Sequence, residues 1–409
     1  MSKVIIAFLF LVYGGMLHSQ TWTPKDTLPS ASRMATIGFS VSGKGYICNG
    51  YSNSSTLKEL WEYDPVSNSW TQKANFLGTQ RSGIGTTVSG RAFVGLGYNP
   101  SSSSYYYDFY EYVPSINGWI QKANYPGNGP RNNMMVGCNG KIYSGGGLHS
   151  SQAYNSDFWE YDPIVDQWTR VTTSWPLGNR ASGVKFSYDS LVFFGMGYNG
   201  NQNRNDLWAY NTVTSLWTQY PSFPGVGRIH PTATVIGDKV IVGGGKQNGG
   251  NLNALSDYYI LDLSTNTWSL AINHPSGSKY TAATFTIGSK GYIFGGIDSA
   301  GAYTNDLWEV EFVTTTIDES KETKGNLFKS ITQNEDRLFV DLKKSVKNAK
   351  VELYSLNGSL LRSEIVNSKS FVIDNLNLET SIYLLRVLVG EVFYSKKFCL
   401  TISIISCVY

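Results

Sequence analysis

The chain has 409 residues, of which 41% are hydrophobic, 14% aromatic and only 15% charged, with 42 glycines. That is too apolar for a disordered chain and too rich in Gly, Tyr and Trp for an average α/β enzyme, and the length admits two or three domains. A net charge of +3 argues against a dedicated nucleic-acid binder, which concentrates a basic patch.

Residues 1–19 read as a secretory signal peptide. Lys3 supplies the positive start, residues 4–12 form an apolar core too short to span a bilayer, and Ser19 is a small residue before an expected cleavage at Gln20. No Cys follows the apolar core, so a lipoprotein anchor is not expected. Cys48 and Cys138 fall in different repeats, Cys399 and Cys407 in the tail, and no C-x-x-C pair occurs. The sequence therefore predicts neither a disulfide framework nor a zinc ribbon.

From Trp22 onward a unit of roughly fifty residues repeats. Its clearest copy is 157–168, D-F-W-E-Y-D-P-I-V-D-Q-W, matched at 59–70, 108–119, 206–217 and 257–268, with a partial sixth copy starting at Asp306. Two aromatic columns result. The inner one is Trp61, Tyr110, Trp159, Trp208, Tyr259 and Trp308; the outer one is Trp70, Trp119, Trp168, Trp217 and Trp268. The alternation about Trp61 and Tyr63 is that of a strand, and Asp64-Pro65 marks a turn, so each motif predicts a hairpin of third and fourth strands. A first hairpin precedes each one. In the third copy it comprises 131–136, the Cys138-Asn139-Gly140 turn and 141–144, ending at Gly145-Gly146-Gly147. The last glycine recurs as Gly50, Gly97, Gly147, Gly197, Gly245 and Gly296, which predicts positive φ or a close backbone approach.

The doublets Gly146-Gly147, Gly244-Gly245 and Gly295-Gly296, with their downstream Tyr and Trp, resemble kelch repeats over roughly 22–312. That resemblance implies an all-β fold, a six-bladed kelch β-propeller of four-stranded blades over 20–313. Asn49, Leu96 and Met196 replace the first glycine in three copies, and Leu261 and Val310 replace the tyrosine in two. Only five trailing Trp strands follow six first hairpins. Trp22 lies one period before Trp70, so it is expected in the outer strand of the last blade, beside the Trp308 strand, removing a free sheet edge.

In such blades the loops between second and third strands share a face with the blade-to-blade connections. Here they are long and rich in Asn, Ser, Tyr and Gly: 51–58, 98–107, 148–156, 198–205, 246–256 and 297–305. Long loops on a rigid scaffold are where binding is usually placed. The run 101–107, S-S-S-S-Y-Y-Y, has the composition of a paratope, with Tyr105 and Tyr106 as contact candidates. Arg33, Arg81, Arg131, Arg180 and Arg228, with Lys279, open the first strands on the same face. Read functionally, they form a ring for a carboxylate sugar or another anion. Read structurally, they pair with Glu59, Asp108, Asp157, Asp206, Asp257 and Asp306 at the same end, and the sequence favours that reading. His149, His230 and His274 are placed on the loop-rich face as polar loop residues; no metal-ligand spacing, catalytic triad, phosphate loop or cofactor motif stands out. His149 and His230 join the arginines and tyrosines as candidate ligand contacts.

Some kelch propellers are enzymes, the copper-radical galactose oxidases and the sialic acid mutarotases. The first would need a Cys–Tyr cross-link and copper ligands for which Cys48 and Cys138 are poorly placed. The second needs little beyond an acid or base and an arginine for the sugar carboxylate.

Residues 314–325 are polar and read as a linker. Beyond them Trp vanishes and short strands are expected at 337–342, 350–355, 360–366, 371–373, 382–389 and 392–398, with a hairpin turn at Asn357-Gly358. This predicts a small Ig-like sandwich over 326–409. The runs V-E-L-Y-S-L-N-G, D-N-L-N-L, I-Y-L-L-R-V and S-K-K-F resemble the C-terminal sorting domain of type IX secretion cargo. The resemblance implies delivery through the outer membrane of a Gram-negative bacterium, with the type IX machinery as a partner and the protein secreted or held at the cell surface. Ser381 stands where that family has Gly, and 399–409 add an atypical apolar tail, too short to cross a membrane as a helix. The expected activity is non-enzymatic binding or adhesion to a glycan or protein, without cofactor, metal, nucleic acid or transmembrane helix. A sugar-active enzyme of the mutarotase kind is the alternative.

Overall fold

The computed structural model describes residues 17–247, 254–315, 327–334, 337–355, 360–374, 382–390 and 392–399. The expected signal core, most of the expected linker, the Asn357-Gly358 turn and the tail beyond Cys399 lie outside them. The chain divides into two compact units, Thr21–Glu311 and Met1–Gln20 with Phe312–Tyr409. Apart from one 3-10 turn, Pro114–Ile116, the described elements are all strands. No helix among the described residues is long and apolar enough to cross a membrane.

The larger unit is built from six four-stranded antiparallel sheets. Sheet 1 runs Ile37–Val41, Lys44–Cys48, Leu60–Asp64, Ser69–Lys73. Sheets 2 to 5 repeat that order, and sheet 6 runs Ala283–Ile287, Lys290–Ile297, Tyr303–Thr315 and then Leu17–Lys25. Each first strand contacts the first strand of the next sheet, and Ala283–Ile287 contacts Ile37–Val41, so the six first strands form a closed ring. Second strands are covered on both faces: in Lys44–Cys48 and Leu191–Gly195 every residue after the first is buried. Fourth strands are the most exposed. Each fully buried aromatic side chain contributes roughly 1.5–3 kcal/mol, and the apolar clusters span neighbouring sheets, as where Tyr63 and Trp70 of sheet 1 meet Tyr292 and Phe294 of sheet 6.

In the first three motifs the repeated Tyr, Asn or Asp and Trp build a clasp between sheets. Tyr161 donates its hydroxyl to Asp166 Oδ1 (2.6 Å), which also accepts the Ala123 amide (2.8 Å), while Trp168 Nε1 donates to the Ala123 carbonyl (3.0 Å). Tyr112, Asn117 and Trp119 hold Ala74 in the same way, and Tyr63, Asn68 and Trp70 hold Asp26. Trp70, Trp119, Trp168 and Trp268 thus each grip the segment that follows the outer strand of the sheet before it. Trp22 obeys the same rule: its Nε1 donates to Ile272 O (3.2 Å), just beyond the outer strand Thr267–Leu270 of sheet 5. Lys25 adds an ion pair to Glu309 at 3.2 Å.

Two details differ from the sequence expectation. Residues 17–19, read as the end of a signal, begin the strand Leu17–Lys25, and Thr314 and Thr315, read as linker, end the strand Tyr303–Thr315. The recurring glycines do sit at positive φ. A Cβ on Gly97 (φ 116°) would lie 1.9 Å from Ser82 O. The residue before it is left-handed too, and there Asn49, Leu96 and Met196 adopt φ of 60°, 50° and 51°. Those three replacements therefore carry backbone strain of about 1 kcal/mol each.

In the second unit, Phe328–Asn334, Arg337–Leu342 and Ser370–Ile373 form a three-stranded sheet, and Leu360–Val366, Ala349–Ser355, Ile382–Val389 and Val392–Cys399 a four-stranded one. Leu338, Val340 and Leu342 of the first share a core with Val351, Leu353, Leu385 and Val387 of the second. The strand at Phe328–Asn334 had no expectation in the sequence.

Candidate functional site at the ring mouth

Four of the five arginines are structural. Arg33, Arg81, Arg180 and Arg228 are at most 2% exposed. Arg228 forms a fork on Asp257 with both contacts at 2.8 Å, Arg180 a fork on Asp206 at 2.7 and 3.1 Å, and Arg81 a fork on Asp108. Arg33 meets Glu59 at 2.7 Å, and Lys279 meets Asp306 at 2.7 Å. The inner tryptophans complete the arrangement, with Trp61 Nε1 donating to Glu59 (2.9 Å) and Trp308 Nε1 to Asp306 (2.9 Å). Burial opposes ionisation of Glu59, but hydrogen bonds from Arg33, Trp61 and Ser30 outweigh it and hold the carboxyl below its usual range. These four arginines are therefore corrected from ligand contacts to buried ion-pair partners.

Arg131 is the exception, and a one-residue slip is the reason. The bridge to the glycine-following residue is made by Met34, Ala181, Ile229 and Tyr280, each one position after its cation; in sheet 3 Arg131 itself makes it, to Leu148. Buried Pro130 thus occupies the cation's slot, and Asp157 is satisfied instead by Asn155 and by Trp159 Nε1 (2.7 Å). Because side chains alternate along a strand, Arg131 is turned out of the pair and stacks on Tyr98, 4.3 Å from the ring centroid. Among the described residues it has no ion pair.

Around it lies a recess of about 440 Å³ whose lining includes Tyr51, Tyr98, Arg131, Asn132, His230, Thr281 and Tyr303. Ser82, Asn132, His230 and Thr281 also line a throat of about 120 Å³ below it. The throat in turn shares Thr36, Gly83, Lys185, Pro231 and Ala282 with a channel of about 460 Å³ along the ring axis. No Asp or Glu occurs among these lining residues. A strained collar shapes the throat. Ala35, Asn132, Ser182, His230 and Thr281, at matching positions of five sheets, all have φ between 49° and 60°. Backbone bonds tie the collar from sheet to sheet: Ser182 N to Asn132 O (3.0 Å), His230 N to Ser182 O (2.8 Å) and Ala35 N to Thr281 O (3.0 Å). Strain of this kind at a ring mouth is characteristic of ligand sites. Burial, then Lys246, Lys185 and Arg131, pushes the His230 pKa down to about 3, so the imidazole is neutral at neutral pH and three cations surround it.

The other candidates are not brought to this site. Tyr106 lies under the Arg81 guanidinium at 3.9 Å. Tyr105 stacks on Tyr98 (4.8 Å) and accepts a hydrogen bond from Gln152 (2.6 Å). The stretch around them is not a long loop: Arg91–Asn99 and Ser104–Val113 pair as far as Asn99 with Ser104, because tyrosines favour the pleated ladder. His149 bonds within its own loop, to Ser151 Oγ at 3.0 Å. Lys185 went unread, although it is the one charged residue in a column of first-strand positions comprising Gly38, Gly85, Met135, Lys185, Ala233 and Thr284.

His274 is no polar loop residue. It is 2% exposed and packed between Trp22 (4.9 Å) and Trp308 (5.6 Å). Burial, followed by Lys279, lowers its pKa from 6.5 to about 3. The unfolded chain takes up a proton below 6.5 that the folded one refuses. Its contribution to stability is thus complete above that value and falls by up to about 1.4 kcal/mol per pH unit towards 3. Urea unfolding at about pH 7 and about pH 5 should show this term, roughly 2 kcal/mol, disappear in His274→Phe. Equal acid sensitivity in the two proteins would reject it.

Three comparisons bear on this architecture. Residues 132–333 match the KLHDC2/KLHL20/DRC7 Kelch-repeats domain. No curated protein matches the sequence. Among solved structures, that of YjhT is similar with a TM-score of 0.59 at 17% identity, over 69% of this chain and 96% of that chain. Fold and repeat agree: residues 132–333 are similar to a kelch-repeat domain, and the sheets have the fold of that solved structure.

Proposed function

We propose that residues 20–313 are a six-bladed kelch propeller, shut by its N-terminal strand, that binds an acidic carbohydrate at the loop-rich mouth without transforming it. The observation that carries this reading is Arg131, an arginine with no carboxylate partner among the described residues. It stands in a recess flanked by Tyr51, Tyr98 and Tyr303. A guanidinium binds a carboxylate in a fork, and tyrosine rings offer flat apolar faces with polar tips, the combination a uronate or sialate ring requires. The buried Arg–carboxylate pairs support a binding role, since they withdraw four arginines from the mouth and leave Arg131 as the arginine of the ring without a carboxylate partner among the described residues.

A glycan array probed with the intact chain and with Arg131→Met tests this. Binding is expected to acidic glycans, and the variant should bind about ten- to a hundredfold more weakly with unchanged stability. Binding to neutral glycans alone, or indifference to the substitution, would refute it. The enzyme alternative rests on neutral His230 beside Arg131. With a pKa of about 3 it is a weak base at neutral pH, so sialic acid anomer exchange followed by proton NMR should not accelerate; acceleration would favour a mutarotase.

Residues 1–19 as signal peptide, 314–325 as linker and 326–409 as an Ig-like type IX sorting sandwich make this a surface or secreted protein of a Gram-negative bacterium. The resemblance of the C-terminal runs and the separate core of that unit support the assignment. Cell fractionation with and without 326–409 tests it: intracellular retention of both forms would contradict it.

A further inference from the structure

Below the collar the axial channel holds a single charged side chain among the described residues. Lys185 projects from the first strand of sheet 4, Val184–Tyr188, into the space shared by throat and channel. Its side chain is accessible to solvent in the channel, yet protein surrounds it, and that enclosure lowers the pKa of the amine. It has no ion pair among the described residues, and no carboxylate lines either cavity. Recess, throat and channel share lining residues: His230 lies on both recess and throat, and both Arg131 and Lys185 act on its ring. Thr36 and Thr281 also line the throat. Their hydroxyls are buried, and neither has a hydrogen-bond partner. Buried polar atoms are nearly always satisfied, so these two throat-lining threonines stand out beside the two unpaired cations.

We infer that Lys185 is a second anion subsite, so that the ligand of the mouth is an acidic oligosaccharide with carboxylates on successive sugars, one at Arg131 and one drawn through the throat to Lys185. This rests on the acidic-carbohydrate reading of the mouth. Arg131 takes the outer carboxylate as a planar fork, and Lys185 takes the inner one as a point charge. Low-dielectric walls around a lone ammonium strengthen its attraction for an anion relative to the same group in open water. A monoanion can neutralise only one of the two cations, so chain length, rather than sugar identity alone, sets affinity.

Isothermal titration of the intact chain with galacturonate and with α-1,4-linked digalacturonate tests the inference. The disaccharide should bind at least about tenfold more tightly than the monosaccharide. Lys185→Met should remove that advantage and leave galacturonate affinity unchanged, whereas Arg131→Met should weaken both ligands. Lys185→Arg, which keeps the charge, should retain the advantage and guards against a misfolded methionine variant. A disaccharide no tighter than the monosaccharide, or an advantage that survives Lys185→Met, overturns the second subsite while leaving the mouth reading intact. Failure of the wild-type chain to bind either sugar removes both.

Discussion

Trp22→Ala should lower the unfolding free energy by about 3 kcal/mol, and a chain begun at Asp26 should lose cooperative unfolding and aggregate. Trp22 supplies the sixth outer indole, gripping the Ile272 carbonyl and packing on His274 and Tyr258. Its strand also covers the Tyr303–Thr315 edge, a row of backbone donors and acceptors that would otherwise template pairing with another chain. Trp22→Phe keeps the ring contacts and loses only the indole bond, so it should cost about 1 kcal/mol. Urea unfolding with a light-scattering control measures all three. A truncated chain as stable and as monodisperse as the full one would mean that the strand seals nothing.

The second large effect lies in the buried ion pairs. Arg228→Met should destabilise by about 3 kcal/mol, because Asp257 is left charged beside an apolar wall. The low end of the range for such breakages applies, since Asp257 keeps 33% of its side-chain surface in water. The double variant Arg228→Met/Asp257→Leu should recover more than half of the loss, as buried pairs often exchange for apolar ones at little net cost. Arg131→Met, with no carboxylate to strand, should change stability by less than about 0.5 kcal/mol. Similar losses at 131 and 228 would contradict the division of the arginines into one unpaired contact and four structural partners.

The repeat was legible because its residues do the same job in most of the sheets. Asp, Trp, Tyr and the trailing Trp recur at fixed spacing since each completes a clasp or a carboxylate cradle, and a clasp cannot shift by one residue without losing its partner. The place of Trp22 followed from the same spacing. What set Arg131 apart from the paired arginines was not legible, because Pro130-Arg131 keeps the composition of the repeat while slipping its register by one, and in a strand one residue reverses the side chain. The tyrosine run at 105–107 misled in the opposite sense: Ser and Tyr suit a loop as well as a strand, and only the pairing of Tyr98 with Tyr105 decides. Lys185 needed the six first strands aligned as a column, where one ammonium stands among small and apolar residues. The five left-handed collar residues share no residue type, so no sequence signal marks them.

Hydrogen exchange of the indole protons tests the closed ring most directly. With the Trp22 signal assigned through Trp22→Phe, its Nε1 proton should exchange as slowly as those of Trp119 and Trp168, whose partners are the equivalent carbonyls. Exchange at the rate of a free indole would show that the first strand does not close the ring, and would contradict the architecture on which the mouth, its throat and its ligand all depend.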